Sequence, residues 1–223
     1  MPNPNHVPAK NPDLNGNVPE ESPVAVIAID VINDLEFEGG EKLREPALAM
    51  ARNLAPLLDR ARQAGVPVIY ANDNFGKWRS DFRLLLEHCL DDNVRGREVA
   101  EQLRPGADDY FVLKPKHSAF FATTLDTLLA YLKARTLILA GIATDSCVLA
   151  TAIDADMRDL HIIIAQDCVA AMTPQRHTRA LAELRETFDV RTVDGADIDF
   201  DQLANDSGAS STSTSARGRA TRS

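Results

Sequence analysis

Short apolar segments recur along the chain, and polar residues or glycines bound each of them. Six such segments can be recognised, at residues 24–29, 66–70, 110–113, 136–140, 161–165 and 190–193. They are too short for most helices, and they lack the alternation of a strand with one solvated face. This pattern predicts strands that are buried on both faces, as in a parallel sheet.

Longer segments of helical composition lie between the apolar runs. One helix is predicted to begin at Pro46, since proline favours the first helical position, and to stop at Gly65. Further helices are predicted around 84–86, 125–133, 147–160 and 174–188. Single helices between strands imply parallel pairing through right-handed crossovers, so the sequence predicts an α/β fold, a three-layer α/β/α sandwich.

The chain of 223 residues suits one α/β domain with a sizeable core. Residues 1–22 are rich in Asn and Pro, and we expect them to form a flexible N-terminal arm. The domain itself is predicted over residues 23–205. Residues 206–223 are rich in Ser, Thr and Arg, and this composition buries too little apolar area to offset the entropy of ordering. The sequence therefore predicts a disordered tail.

Charge and composition exclude several classes of function. The 24 basic and 33 acidic side chains give a net charge of -9, which repels nucleic acid and anionic membranes. Apolar runs stay far below the roughly 20 residues of a membrane span, and the first residues lack the apolar core of a signal peptide. Three widely spaced cysteines favour a reducing compartment. We expect a cytoplasmic protein that binds neither nucleic acid nor membrane.

Three reactive side chains follow predicted strands: Asp30, Lys114 and Cys147. Each has an ordinary structural explanation, since the carboxylate could cap a loop, the ammonium could face solvent and the thiol could pack in the core. Ligands of parallel sheets, however, bind beyond the carboxyl ends of the strands. A base, a cation and a nucleophile at one such edge are the groups that covalent acyl transfer requires.

The segment around Cys147 leads from a predicted strand into a predicted helix. Unpaired backbone N–H groups and the positive end of the helix dipole favour the thiolate at that position, and a neighbouring ammonium adds to this. We expect Asp145 to fix the turn through hydrogen bonds to the backbone. His177, in a charged helix, is expected to cap that helix or to face solvent. Cys89 and Cys168 are expected to be structural.

Three motifs resemble those of the isochorismatase-like cysteine hydrolases, the superfamily of nicotinamidases, N-carbamoylsarcosine amidohydrolases and ureidoacrylate amidohydrolases. They are residues 28–34 (AIDVIND), 114–125 (KPKHSAFFATTL) and 141–148 (GIATDSCV). The resemblance spans about residues 23–194. It implies a catalytic triad of Asp30, Lys114 and Cys147, a six-stranded parallel sheet of order 3-2-1-4-5-6, and a homo-oligomer. It also implies a cis peptide before Ala143 and an oxyanion hole made by the backbone N–H groups of Ala143 and Cys147.

The implied strand order places strand three about 10 Å from strand one, at ordinary strand spacing. Lys114 must then reach across the end of strand two to meet Asp30. This is feasible only if the loop over residues 71–73 folds away from the lysine.

The substrate is predicted to be a small molecule bound by residues near the triad: Phe37, Asn74, Trp78 and Phe120. One of the two neighbours Phe120 and Phe121 is expected in the core instead. Nicotinamidases of the superfamily carry an aspartate–histidine metal site after strand two, but residues 70–78 (YANDNFGKW) contain no histidine. The sequence therefore predicts no metal and disfavours nicotinamidase activity. No G-x-G-x-x-G follows the first strand, and no cofactor is predicted.

Three functions remain in view. The leading one is hydrolysis of a C–N bond in a small amide, N-carbamoyl or ureido compound through a thioester on Cys147, with Asp30 as base and acid and Lys114 as its electrostatic partner. Vinyl-ether hydrolysis of the isochorismatase type is the alternative within the same fold, but it needs a general acid more than a thiol. A non-catalytic binding protein that retains the fold is the third.

Overall fold

A computed structural model describes residues 21–74 and 81–209 of the chain. Strands and helices alternate along it, as the sequence predicts. The strands are β1 (Val24–Ile29), β2 (Val68–Asp73), β3 (Tyr110–Lys114), β4 (Thr136–Ile142), β5 (His161–Ala170) and β6 (Arg191–Val193). The helices are α1 (Gly40–Gln63), α2 (Phe82–Asp91), α3 (Arg97–Gln102), α4 (Leu125–Leu132), α5 (Leu149–Asp156), α6 (Pro174–Phe188) and α7 (Phe200–Ala209).

The six strands form one parallel sheet with the order β3-β2-β1-β4-β5-β6. This confirms the predicted α/β class and the strand order that the resemblance implied. The central strands β1 and β4 are buried along their whole length, which explains their continuous apolar sequence. All six carboxyl ends therefore point to one edge, where the predicted reactive residues lie.

Alternate residues of β1 enter two separate cores, one on each face of the sheet. Val24, Val26 and Ala28 pack against α1, α2, α3 and α7. Ala25, Ile27 and Ile29 pack against α4, α5 and α6. The period of two along the strand builds the three layers, because each face of the sheet needs its own helical cover.

Helix α1 begins at Gly40, and not at Pro46 as the sequence predicted. Proline at position 46 removes one backbone donor, which ordinarily marks a helix start. Here the apolar stripe extends one turn further towards the N-terminus: Leu43 is buried together with Ala47 and Ala51. Burial of this stripe outweighs the lost hydrogen bond.

Two other elements extend beyond their predicted ends. Strand β5 continues through the polar pair Gln166 and Asp167, because both side chains find partners next to β6: Gln166 Nε2 donates to Asp194 Oδ1 (2.9 Å) and Gly195 N donates to Asp167 Oδ1 (2.6 Å). Helix α7 runs four residues past the domain end predicted at residue 205. Within the described ranges, none of the helices combines the length and the apolarity that a membrane crossing requires.

The buried central strands generate a stability prediction. We expect Leu139→Ala on β4, where the side chain is 0% exposed, to lower the free energy of unfolding by about 2–5 kcal/mol through lost burial and a cavity. Leu84→Ala on α2, where the side chain is largely exposed, is the matched control and is expected to change it by less than about 0.5 kcal/mol. Urea unfolding followed by circular dichroism measures both; equal losses would contradict the assigned core.

Candidate active site

Three chain segments bring Asp30, Lys114 and Cys147 together at the carboxyl edge of the sheet. Asp30 directly follows β1 and has a positive φ of 52°, whereas Lys114 is the last residue of β3. Cys147 lies in a π-helical turn, Thr144–Val148, between β4 and α5. The predicted juxtaposition of the three side chains is present, but the thiol is in this turn and not in the first turn of α5.

Asp30 and Lys114 form a buried ion pair. Lys114 Nζ lies 2.8 Å from Asp30 Oδ2, and the two side chains are 0% and 7% exposed. Lys114 reaches Asp30 across the end of β2, where Asp73 is the register partner of Lys114. The backbone N–H of Asp73 donates to Asp30 Oδ1 (2.7 Å). The end of β2 therefore supports the pair from below instead of blocking it.

Burial and charge act in opposite directions on the two members of this pair. Burial raises the pKa of Asp30, and the Lys114 ammonium only partly offsets this. Burial disfavours the Lys114 ammonium, but the charge and hydrogen bond of Asp30, together with Cys147 and Asp73, outweigh burial and raise the pKa of Lys114. Each charge is therefore retained in the interior because the other is present.

Cys147 is the third member of the cluster. Its Sγ lies 3.4 Å from Lys114 Nζ, and its thiol is hydrogen-bonded to Asp30. Burial, together with the Asp30 carboxylate, raises the pKa of Cys147 to about 12 despite the nearby ammonium. Burial and the neighbouring carboxylate therefore outweigh the backbone dipoles that favour a thiolate at this position. The thiol is the resting form, and Asp30 is positioned to take its proton.

The turn that carries Cys147 closes tightly on the end of β1. Gly141 has a φ of 113°, and a Cβ there would lie 2.1 Å from the Ile29 carbonyl oxygen, so only glycine fits. The Ile142–Ala143 peptide is cis, as the resemblance implied. The Ala143 carbonyl accepts hydrogen bonds from Ser146 N (3.0 Å) and Val148 N (3.2 Å), which folds Ala143 back beside Cys147. The oxyanion role of their N–H groups stays a prediction.

Helix α6 braces this turn through two consecutive side chains. Arg176 Nε pairs with Asp145 Oδ2 at 2.5 Å, and His177 Nδ1 lies 3.0 Å from Thr144 Oγ1. The sequence missed both contacts: it placed His177 at a cap or in solvent and paired Asp145 with the backbone. The charged residues along α6 do not indicate which of them contact the turn of Cys147, because that turn lies about 30 positions earlier in the chain.

Two polar side chains at the thiol were also missed as functional candidates. His117 Nδ1 lies 3.8 Å from Cys147 Sγ, and Ser146 Oγ lies 3.9 Å from the same sulfur. The sequence predicted no role for His117, which lies in the motif at residues 114–125. Its spacing of three residues from Lys114, in a loop that starts at the sheet edge, was the available signal.

The predicted substrate-binding residues have different placements. Phe37 is 39% exposed in the loop after β1, and Asn74 is buried beside Lys114, whose carbonyl accepts from Asn74 N (3.0 Å). Trp78 lies outside the described residues. The binding roles of these three residues stay predictions.

Phe120 is the phenylalanine that packs in the core, whereas Phe121 is exposed. The Phe120 ring centroid lies 4.4 Å from the guanidinium carbon of Arg158, which follows the C-terminal end of α5. The Phe120 ring therefore packs in the core and against Arg158, and the substrate-binding role of this residue stays a prediction.

In the part of the chain that the structure describes, no three His, Cys, Asp or Glu side chains meet in an arrangement suited to a metal ion. The predicted absence of a metal still stays a prediction, because residues 75–80 follow the relevant strand and are outside that part.

The raised pKa of Cys147 generates a prediction for Asp30→Asn. Removing the carboxylate removes the repulsion that raises the pKa of Cys147, and a thiolate there can take the place of Asp30 as the partner of Lys114, so the pKa of Cys147 falls. Alkylation by iodoacetamide at neutral pH is then expected to be about tenfold faster or more than in the wild type. The wild-type rate is expected to rise steadily with pH without a plateau near 8.5.

Intact mass spectrometry measures the labelling, with Cys147→Ala as the control. Burial raises the pKa of Cys89 to about 12 as well, and it also raises the pKa of Cys168. Neither thiol is therefore expected to compete with Cys147 for the label. A wild-type plateau below pH 8.5, or an Asp30→Asn variant no faster than the wild type, would contradict the resting thiol.

His177 generates a prediction about stability and pH. Burial, and secondly the charge of Arg185, lowers the pKa of His177 in the folded protein. The unfolded chain, with an ordinary pKa of about 6.5, then binds the proton more readily, so acidification below about pH 6.5 destabilises the fold. The melting temperature of His177→Gln is expected to fall less than that of the wild type when the pH is lowered from about 7.5 to about 5. Calorimetry tests this; equal losses would refute the assignment.

Comparison with known proteins agrees with this geometry. The family model of the isochorismatase domain matches residues 24–195. The Bacillus subtilis (strain 168) protein YaaI, an uncharacterized isochorismatase family protein, is 40% identical over 74% of this chain and 90% of its own length. The maleamate amidohydrolase of Pseudomonas putida is 28% identical over 74% of this chain and 80% of its own. The N-carbamoylsarcosine amidase structure from Thermoplasma acidophilum superposes with a TM-score of 0.61 at 26% identity, covering 79% of this chain and 98% of that one. The chain belongs to the isochorismatase family of hydrolases.

Proposed function

We propose that the protein hydrolyses a C–N bond in a small amide, N-carbamoyl or ureido compound through a thioester on Cys147. The observation that carries this proposal is the contact of the Cys147 thiol with the buried Asp30–Lys114 pair, with Sγ 3.4 Å from Nζ. A nucleophile that touches both a base and a cation is what acyl transfer requires. Two similar proteins, named maleamate amidohydrolase and N-carbamoylsarcosine amidase, support a C–N bond as the bond that is cleaved.

The reaction starts from the protonated thiol. As Sγ attacks the carbonyl carbon, the thiol proton passes to Asp30, to which it is already hydrogen-bonded. Lys114 keeps a positive charge beside the forming S–C bond, and the backbone N–H groups of Ala143 and Cys147 receive the oxyanion. Collapse of the tetrahedral intermediate breaks the C–N bond. Asp30 returns the proton to the departing nitrogen, and ammonia or an amine leaves the thioester behind.

Ammonia release tests the proposal with a panel of nicotinamide, carbamoyl amino acids, ureido acids and simple amides. We expect release from at least one amide or ureido compound. Cys147→Ala is expected to lower the rate by about a thousandfold or more, as for the loss of other catalytic nucleophiles. An acyl adduct on Cys147 in a quenched reaction would identify the thioester.

Equal release by the wild type and Cys147→Ala would refute the thioester mechanism. If no compound of the panel is turned over, vinyl-ether hydrolysis or a non-catalytic binding role is favoured instead. The thiol-labelling measurement uses no substrate, so its result does not depend on this outcome. Cys89→Ala is the matched control, because that thiol lies on the buried face of α2, in the hydrophobic core, and its loss should leave turnover unchanged.

A further inference from the structure

An ion pair with helix α6 holds the turn that carries Cys147. Arg176 Nε donates to Asp145 Oδ2 (2.5 Å), and Asp145 lies two residues before the nucleophile. The Asp145 side chain is 8% exposed, whereas that of Arg176 is 49% exposed. A carboxylate so enclosed needs a partner, and Arg176 is its only ion-pair partner in the described part of the chain. The mechanism above uses neither member of this pair.

The backbone of Arg176 is itself anchored, because it lies in the first turn of α6. The hydroxyl of Thr173 caps this helix by accepting a hydrogen bond from Arg176 N (3.3 Å). Further along the helix, Leu181 and Leu184 are buried in the same core cluster as Val148, the last residue of the turn. The guanidinium therefore reaches the turn from a helix that packs on the same core.

The turn depends on such outside contacts. It has only five residues, and a single helical turn does not repay the cost of its own nucleation. The two backbone N–H groups expected to receive the oxyanion belong to Ala143 and Cys147, and Asp145 is the residue midway between them in the chain. The separation of these two donors therefore follows the conformation of the segment that Asp145 anchors.

We infer that Arg176 is a positioning residue that, through Asp145, sets the separation of the two oxyanion donors. The inference rests on the proposed function. Donors aimed at an oxyanion act only as its charge develops, and a displacement of about 1 Å can slow a reaction about a hundredfold. Arg176→Met leaves the Asp145 carboxylate enclosed without its cation, so the turn shifts to expose that carboxylate to water. Acyl transfer then slows, whereas reactions of the thiol without an oxyanion do not.

Two reagents that react with the same sulfur separate this role from general damage. p-Nitrophenyl acetate forms the S–C bond through a tetrahedral oxyanion; the ester C–O bond then breaks, and the thiol proton leaves with p-nitrophenolate by way of Asp30. Iodoacetamide forms its S–C bond by displacing iodide, the proton goes to solvent, and no oxyanion arises. The pKa of the thiol is set chiefly by burial, Asp30 and Lys114, so the loss of Arg176 should leave alkylation unchanged.

We expect acetylation of Arg176→Met to be at least about tenfold slower than that of the wild type, with alkylation within about twofold. Release of p-nitrophenol and intact mass spectra measure the two rates. Arg179→Met, which removes an exposed arginine three residues further along α6, is the matched control and should be acetylated as fast as the wild type.

A second variant tests the route through Asp145. Asp145→Ala removes the pair from its other end, and its acetylation is also expected to be slow. Because the pair is then already absent, adding Arg176→Met should slow acetylation by less than about twofold further. Independent, multiplying effects of the two substitutions would overturn the assignment of Arg176 to this route.

Acetylation of Arg176→Met within twofold of the wild type would overturn the inference while leaving the thioester mechanism intact. Equal slowing of acetylation and alkylation would also overturn it, since it would reflect a general loss of thiol reactivity. If the wild type is alkylated at Cys147 but is not acetylated, and the amide panel gives no ammonia, the thioester itself is refuted and the inference fails with it.

Discussion

The buried ion pair between Asp30 and Lys114 is the constraint on which the rest of this molecule depends. Two charges in an apolar interior are tolerated only when each compensates the other and their remaining hydrogen-bonding capacity is used. Here the backbone of Asp73 and the carbonyl of Lys116 supply that remainder. The requirement ties three strand ends together, because the pair spans β1 and β3 and rests on β2. Cys147 completes the cluster from a fourth strand.

The same pair decides the protonation state of the nucleophile. The field of a helix terminus stabilises a charge by at most about 2 kcal/mol, or under two pKa units. Burial together with the Asp30 carboxylate moves the pKa of Cys147 from 9.0 to about 12, which is a larger effect in the opposite direction. In the proposed mechanism, proton transfer from the thiol to Asp30 therefore accompanies attack, in place of a thiolate formed in advance. Asp30, whose own pKa is raised by burial, is a correspondingly better proton acceptor than an exposed carboxylate.

Features that the sequence predicted well are those set by local composition and chain order. The apolar runs located all six strands, and the residues that follow three of them located Asp30, Lys114 and Cys147. Failures arose where a distant partner overrides the local signal. Burial of Leu43 extends α1 past Pro46, Asp194 and Gly195 extend β5, and α6 captures Thr144 through His177. Only the structure shows that Phe120 is buried and Phe121 is exposed. The local sequence does not indicate which of the two neighbouring side chains the turn directs into the core.

The sulfur of Cys147 has an inner, buried side next to Lys114 and an outer, exposed side next to His117. The inner side is enclosed and contains the buried Asp30–Lys114 ion pair, with Nζ 2.8 Å from Oδ2. The outer side consists of loops after the strands, where Phe37 and His117 lie and where sequence changes cost little stability. Within this chain the loop of His117 is the exception, because the Lys114 ammonium itself holds its backbone. A shift in the backbone of that loop would therefore also remove a hydrogen-bond acceptor of the buried ammonium.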